Sequence, residues 1–310
     1  MSFKSKVLES FSNQTKKYNE SKWLRKVFKR VNWLMLKLGA TPIVVSEMRD
    51  GTRVIVDLST RTERDCFYTG LYDANLIELL KQMLQDNSTF SDVGANIGFY
   101  SVAISNAIYK TNKKSKVLSF EPYEGNFKRL QKNIEMNNFG GICRAHNFGL
   151  SDTTKTTEIT LREDFKNGSS TGNASVITGG FIDKGFRRTE IKLKTLDDVW
   201  DKNYKSYPKL DLIKLDIEGH EDFFLKGANG VIQKHRPTLL MEINKPYYES
   251  RGVDLDDIFM PLIPKDYLIF RENNKVWGRL ESLHECKKMD NVFIVPKEKL
   301  ANSGYHIFNV

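Results

Sequence analysis

Hydrophobic and polar positions divide the chain into a helical opening and a long stretch where strands and helices take turns. Between Ser21 and Leu38, Leu24, Phe28, Val31, Met35 and Leu38 recur at three- and four-residue spacing, with Trp23, Val27 and Leu34 widening the stripe. That is the period of an amphipathic helix. Lys22, Arg25, Lys26, Lys29 and Arg30 largely fill its other side. Two alternating runs, Ile43–Met48 and Arg53–Leu58, flank Asp50-Gly51 and predict a β-hairpin, and a helical pattern covers Asn75–Leu84. From Thr89 the pattern gives strand Thr89–Val93, helix Gly98–Tyr109, strand Lys116–Phe120, helix Glu124–Asn137 and strand Ile142–Asn147. It resumes with strand Leu210–Leu215, helix His220–Lys226 and strand Pro237–Ile243, and ends on strands Tyr267–Phe270 and Asn291–Val295. Such alternation predicts right-handed βαβ units, hence an α/β fold around a mainly parallel sheet. Ligands of such sheets bind beyond the carboxyl ends of the strands.

The interruption at 162–188 is rich in Gly, Ser, Asn and Thr and is flanked by strand-like EITL and EIKL. A loop of that length inside a compact domain is either a functional lid or disordered. The expected organisation is therefore a basic amphipathic arm (1–40), a hairpin-and-helix subdomain (41–85) and a ligand-binding domain (86–310) carrying a lid-like insertion.

Charge changes the picture of the arm. Residues 1–40 hold ten basic and two acidic side chains, whereas the rest of the chain is nearly neutral at a net +1. A nucleic-acid enzyme usually spreads basic surface around the site that grips phosphates, so nucleic acid is not the expected partner. A basic amphipathic helix either lies on an anionic membrane surface or docks on its own domain with a solvated charged face. No segment reaches the roughly 18 apolar residues of a membrane span, and the opening residues lack a signal-peptide core. The expected location is the cytoplasm, with peripheral membrane association following only from the first of these two readings of the arm. Three cysteines without C-x-x-C spacing exclude a disulfide scaffold or a cysteine zinc site.

The sharpest motif is Asp92-Val-Gly94-Ala-Asn96-Ile-Gly98, at the end of the first core strand and running into a helix. Its glycines permit a tight turn and a close ligand. The G-x-x-x-G spacing lacks the middle glycine that seats a pyrophosphate in dinucleotide folds. Phe120-Glu121-Pro122 ends the next strand, where a carboxylate is placed to accept from a ribose diol. Together Asp92 and Glu121 describe a pocket for the amino-acid and nucleoside halves of S-adenosylmethionine. Asn147-Phe-Gly149 should border the adenine. Two further strand ends bring Asp216, Glu218, His220 and Glu242 to the same rim.

DVGANIGFYS, FEP with Asn126 and Asn133 in the next helix, GLSD, TLDD, IKLDIEGHE and LLMEI together resemble the FkbM family of S-adenosylmethionine-dependent methyltransferases over about residues 66–245. The resemblance implies a Rossmann-like, doubly wound, mainly parallel seven-stranded sheet of the class I methyltransferase type, here with an N-terminal helical and hairpin extension. It also implies O-methylation, commonly of hydroxyls on sugars, glycolipids or polyketides.

Methyl transfer from a sulfonium needs alignment and exclusion of water, and a sugar hydroxyl also needs a base. Glu218 is the favoured base, with Glu242 and His220 as the other candidates, and Asp216 is assigned to the cofactor edge. A divalent metal held by Asp216 and Glu218 is an alternative to the base; alternatives to the function are methylation of a nucleic acid or another small molecule, and a non-catalytic cofactor-binding module at a membrane.

Overall fold

A computed structural model of the chain describes residues 3–16, 22–161, 174–176 and 187–309. Helices α1 (Phe3–Thr15) and α2 (Lys22–Lys37) precede an antiparallel hairpin of β1 (Ile43–Glu47) and β2 (Arg53–Asp57), then helices α3 (Arg61–Thr69) and α4 (Ala74–Met83). The alternating stretch is β3 (Ser88–Val93), α5 (Phe99–Thr111), β4 (Lys116–Phe120), α6 (Glu124–Met136) and β5 (Cys143–His146). A small second sheet joins β6 (Gly149–Leu150), β7 (Lys155–Leu161), β8 (Ala174–Val176) and β9 (Arg187–Lys194) in the order β6-β9-β7-β8. The chain then makes α7 (Leu196–Asn203), β10 (Lys209–Leu215), α8 (Glu221–Gly227), α9 (Asn229–His235), β11 (Thr238–Asn244), α10 (Lys245–Arg251) and α11 (Leu255–Phe259). Strands β12 (Tyr267–Asn273), β13 (Val276–Leu280), β14 (Met289–Pro296) and β15 (Phe308–Asn309) complete it.

The main sheet runs β15-β13-β12-β14-β11-β10-β3-β4-β5. Neighbours from β5 to β11 are parallel, and β14 lies antiparallel between β11 and β12. These seven strands are the Rossmann-like core the sequence implies. Two more, β13 and β15, extend the edge, so the sheet has nine described strands rather than seven. The extra hairpin turns at Asn274 and Lys275, with φ of 50° and 68°. A two-residue turn with both residues left-handed matches strand twist, but lysine gives no sequence signal for it.

Helices cover both faces of the parallel strands, so every residue of β3 is buried. The amino-terminal extension is continuous with this core. Phe28 of α2 stacks on Tyr68 with ring centroids 4.7 Å apart. Asn133 of α6 accepts from the Ile55 N–H at 2.8 Å and donates to the Ile97 carbonyl at 2.8 Å, tying the β1–β2 hairpin to the loop after β3. Most of the 162–188 insertion, with its proposed lid, lies outside the described residues, as do residues 1–2 and 17–21 of the arm. Its flanks, β7 and β9, pair antiparallel from Lys155↔Leu193 to Leu161↔Arg187. Among the described residues no helix is long and apolar enough to cross a membrane.

Candidate active site

The carboxyl ends of β3, β4, β10 and β11 open into one cavity of about 480 Å3. That is the size of a small-molecule site. Gly94, Asn96, Glu121, Gly149, Asp216, Glu218, His220 and Glu242 all line it. Asp92, Gly98 and Asn147 do not. Asp92 is 1% exposed and sits one layer beneath, where its carboxylate accepts from the Ser101 N–H at 3.0 Å and from the Ser101 hydroxyl, holding the start of α5. Asn147 donates to the carbonyls of Glu121 and Pro122, both at 3.1 Å, and so shapes the turn that carries Glu121.

The glycines are explained by packing rather than by an approaching ligand. A Cβ on Gly94 would lie 1.9 Å from the Asp216 carbonyl oxygen, and φ there is +78°. The loops after β3 and β10 therefore cross with no room between them. At Gly98, with φ +92°, a Cβ would meet Leu130 at 2.5 Å.

Glu121 ends β4 with one oxygen accepting from the Asn96 N–H and the other from the Tyr123 N–H, both at 2.9 Å. Burial outweighs these bonds and pushes its carboxyl up to about 7. Each oxygen keeps a lone pair for a hydroxyl donor.

At the far wall stands Lys214, a residue that periodicity alone passes over. The parallel register pairs it with Asp92, and its Nζ lies 3.1 Å from Asp216 Oδ2, 3.9 Å from Asp92 Oδ1 and 3.3 Å from the Gly94 carbonyl. Burial opposes its charge, yet Asp216 and Asp92 hold its ammonium above the usual lysine range. Burial, with the charges of Asp216 and Glu218, pushes Glu242 up to about 9. Burial among these carboxylates therefore favours the protonated form of Glu242. The sequence points to a donor of hydrogen bonds there rather than a ready base only once this neighbourhood is known.

Glu218 stands at the lip in the left-handed region, with φ of 56°, followed by Gly219 with φ of 89°. A non-glycine residue held there costs about 1–3 kcal/mol and persists only where its surroundings enforce it. Here they do. The Glu221 carboxylate, 2% exposed, accepts from the Ile217 N–H at 3.0 Å and from the Tyr248 hydroxyl. Arg251 donates to the Gly219 carbonyl at 2.9 Å and forks onto Asp222 at 2.8 and 2.9 Å. His220, 3% exposed, joins Ser151 Oγ through Nε2 at 2.8 Å, while Nδ1 is buried without a hydrogen-bond partner among the described residues. Because Ser151 gives its proton to Asp152 at 2.9 Å, Nε2 must be the protonated nitrogen and Nδ1 a bare acceptor. Burial pulls His220 down to about 4.

The amino-terminal extension supplies Thr62, Tyr72 and Asp73 to the cavity. Tyr72 stacks on Phe99 at 4.3 Å, and the Tyr100 hydroxyl donates to Asp73 at 3.1 Å.

A Rossmann-like sheet with an acid-lined cavity at its carboxyl edge, and Glu121 lining that cavity just after the second core strand, is the architecture of the class I methyltransferases. The chain belongs to the FkbM methyltransferase family, whose domain model matches residues 92–274. It is similar to the hexuronic acid methyltransferase AglP of Haloferax volcanii, 26% identical over 241 residues that cover 76% of this chain and 86% of that one. It is also similar to the methyltransferase sdnD of Sordaria araneosa, 22% identical over 242 residues covering 67% and 89% of the two chains. Among solved structures, an FkbM methyltransferase from Methylobacillus flagellatus aligns at 20% identity and a TM-score of 0.43, covering 74% of this chain and 52% of that one.

Proposed function

We propose that the protein is an S-adenosylmethionine-dependent O-methyltransferase acting on a hydroxyl of a sugar or glycolipid. The observation that carries this reading is the pairing, in one cavity, of Glu121 with the acid wall of Asp216, Glu218 and Glu242. S-adenosylmethionine would supply a methyl group already activated on a sulfonium. Glu121 offers lone pairs for the ribose hydroxyls. Asp216 and its neighbours suit a donor that carries ammonium and sulfonium charge, since a wall with one lysine among several carboxyls is net acidic. Gly94, Asn96 and Gly149 complete the bed, with Asp92, Gly98 and Asn147 supporting it from behind.

Glu218 takes the proton that the acceptor hydroxyl loses, because the clamped lip fixes it at the cavity mouth. His220, which lines the same cavity, is the second candidate for the base. Glu242, whose protonated form is favoured by burial and by Asp216 and Glu218, orients the acceptor by donating to it. The similarity to a hexuronic acid methyltransferase supports a sugar acceptor.

Titration calorimetry with S-adenosylmethionine and its demethylated product tests the donor; absence of heat with both refutes it. Incubation with uronate-bearing oligosaccharides, followed by mass spectrometry before and after mild alkali, tests the acceptor. An alkali-stable methyl marks an ether on a hydroxyl, whereas loss of the label marks an ester on a carboxylate and overturns the hydroxyl assignment. Glu218→Gln should lower kcat at least about tenfold with donor affinity nearly unchanged. If His220→Asn alone does so, the base is the histidine.

A further inference from the structure

The helix pair α1–α2 presents a face that nothing in the described molecule covers. The apolar stripe that periodicity marks on α2 is split by the structure: Phe28 is turned inward at 7% exposed and the Asn32 side chain beside it donates to the Leu58 carbonyl at 3.1 Å, whereas Trp23, Leu34 and Leu38 of the same stripe face outward. On the opposite side Trp23 is 69% exposed, Trp33 57% and Leu34 51%. Trp23, Leu34, Trp33, Lys26, Arg30 and Lys37 fall within an arc of about 100° on an ideal helix. The Lys37 Nζ lies over the Trp33 ring at 4.0 Å. Helix α2 contains no acidic residue, and Leu38 just past its end is 52% exposed. Phe3 of α1, 80% exposed, adds to the outward apolar groups.

Two indoles and two leucines standing in water among cations call for an occupant that is both apolar and anionic. We propose that this face docks the protein on an anionic lipid bilayer, with the indoles at headgroup depth and the basic side chains on lipid phosphates. A second copy of the chain does not fit, since self-pairing would set lysine and arginine against their own kind. A nucleic acid would use the cations and leave the leucines uncovered. The face is also preformed: the Phe28–Tyr68 stack and the Asn32 bond fix α2 on the body before any lipid is met. Thr15 of α1 donates to the Tyr68 carbonyl at 3.0 Å, and the chain from there runs within a few residues to Tyr72 and Asp73 in the cavity wall.

The inference is independent of the acceptor and is tested on the full chain by co-flotation with vesicles. Vesicles containing phosphatidylglycerol should carry the protein at low salt and release it as salt rises. Pure phosphatidylcholine vesicles should carry far less. Trp23→Ser with Trp33→Ser, and separately Lys26→Ala with Arg30→Ala, should each weaken binding roughly tenfold or more at an unchanged thermal midpoint. Failure of the wild type to float with anionic vesicles overturns the proposal, as does undiminished binding by both variants. A dimer that the tryptophan variant abolishes, or duplex DNA affinity that exceeds vesicle affinity, would assign the face to another partner and overturn it equally.

Discussion

Lys214 shows how one buried cation organises the acids around it. Removing it as Lys214→Met leaves Asp92 buried and uncompensated, a change that costs about 3–5 kcal/mol when a buried pair loses one partner. Asp92 already sits above its ordinary range, first through burial, and losing Lys214 raises it further. Its penalty applies only while it is ionised, so the variant's deficit in thermal midpoint should be large at pH 8 and shrink as pH falls; a deficit flat across that range would refute the coupling. Glu121 gives the second expectation at this scale. Its carboxyl is pushed up to about 7 by burial, and the ionised form is the better acceptor for hydroxyls. Donor affinity measured by calorimetry should therefore rise with pH through about 7 and level off above it. Glu121→Gln should lose about 1.5–3 kcal/mol of binding, the worth of hydrogen bonds to a charged group, together with that pH dependence. Glu121 is legible in the sequence because a carboxylate before proline at a strand end has a definite place in an α/β sheet. Lys214 also leaves a signal, a charge inside the apolar run Leu212–Leu215, but its meaning depends on the register with Asp92. Only pairing supplies that.

At the scale of elements, the lip between β10 and α8 is a strained turn clamped from two sides. Arg251→Met or Glu221→Gln frees it without touching Glu121. Such variants should lower kcat about tenfold while donor affinity stays within about twofold, and equal losses in both would show a general structural role instead. Gly219→Ala would bring a Cβ within 2.5 Å of Tyr247 at a φ of +89°. Destabilisation of about 1–3 kcal/mol is expected in a denaturant titration. The sequence reveals elements where chemistry and period agree, as in the Asp50-Gly51 hairpin and the parallel strands. It conceals α1, whose apolar rhythm is weak, α3, a largely polar helix of only nine residues, and β13, whose turn uses a lysine where glycine is the usual mark. Glu221 is visible only as an acid at a helix start. Its grip on the preceding loop follows from the turn geometry, which no spacing rule encodes.

For the whole molecule, the arm belongs to the fold even though its charge sets it apart. Leu8, Ser12 and Phe28 are buried, and the last covers Tyr68. Deleting residues 1–40 should therefore lower the thermal midpoint by several degrees through exposed aromatic surface, so point variants of the outward face are the sound probes of membrane binding. The same division of the arm into an inward and an outward side has an optical consequence. Of the four tryptophans, Trp200 and Trp277 are 4% and 5% exposed, while Trp23 and Trp33 stand outside on one helix. Intrinsic fluorescence thus comes as two separable populations, one that acrylamide quenches readily and one it reaches poorly. Any blue shift of the quenchable half reports what has settled over the arm, with no label attached.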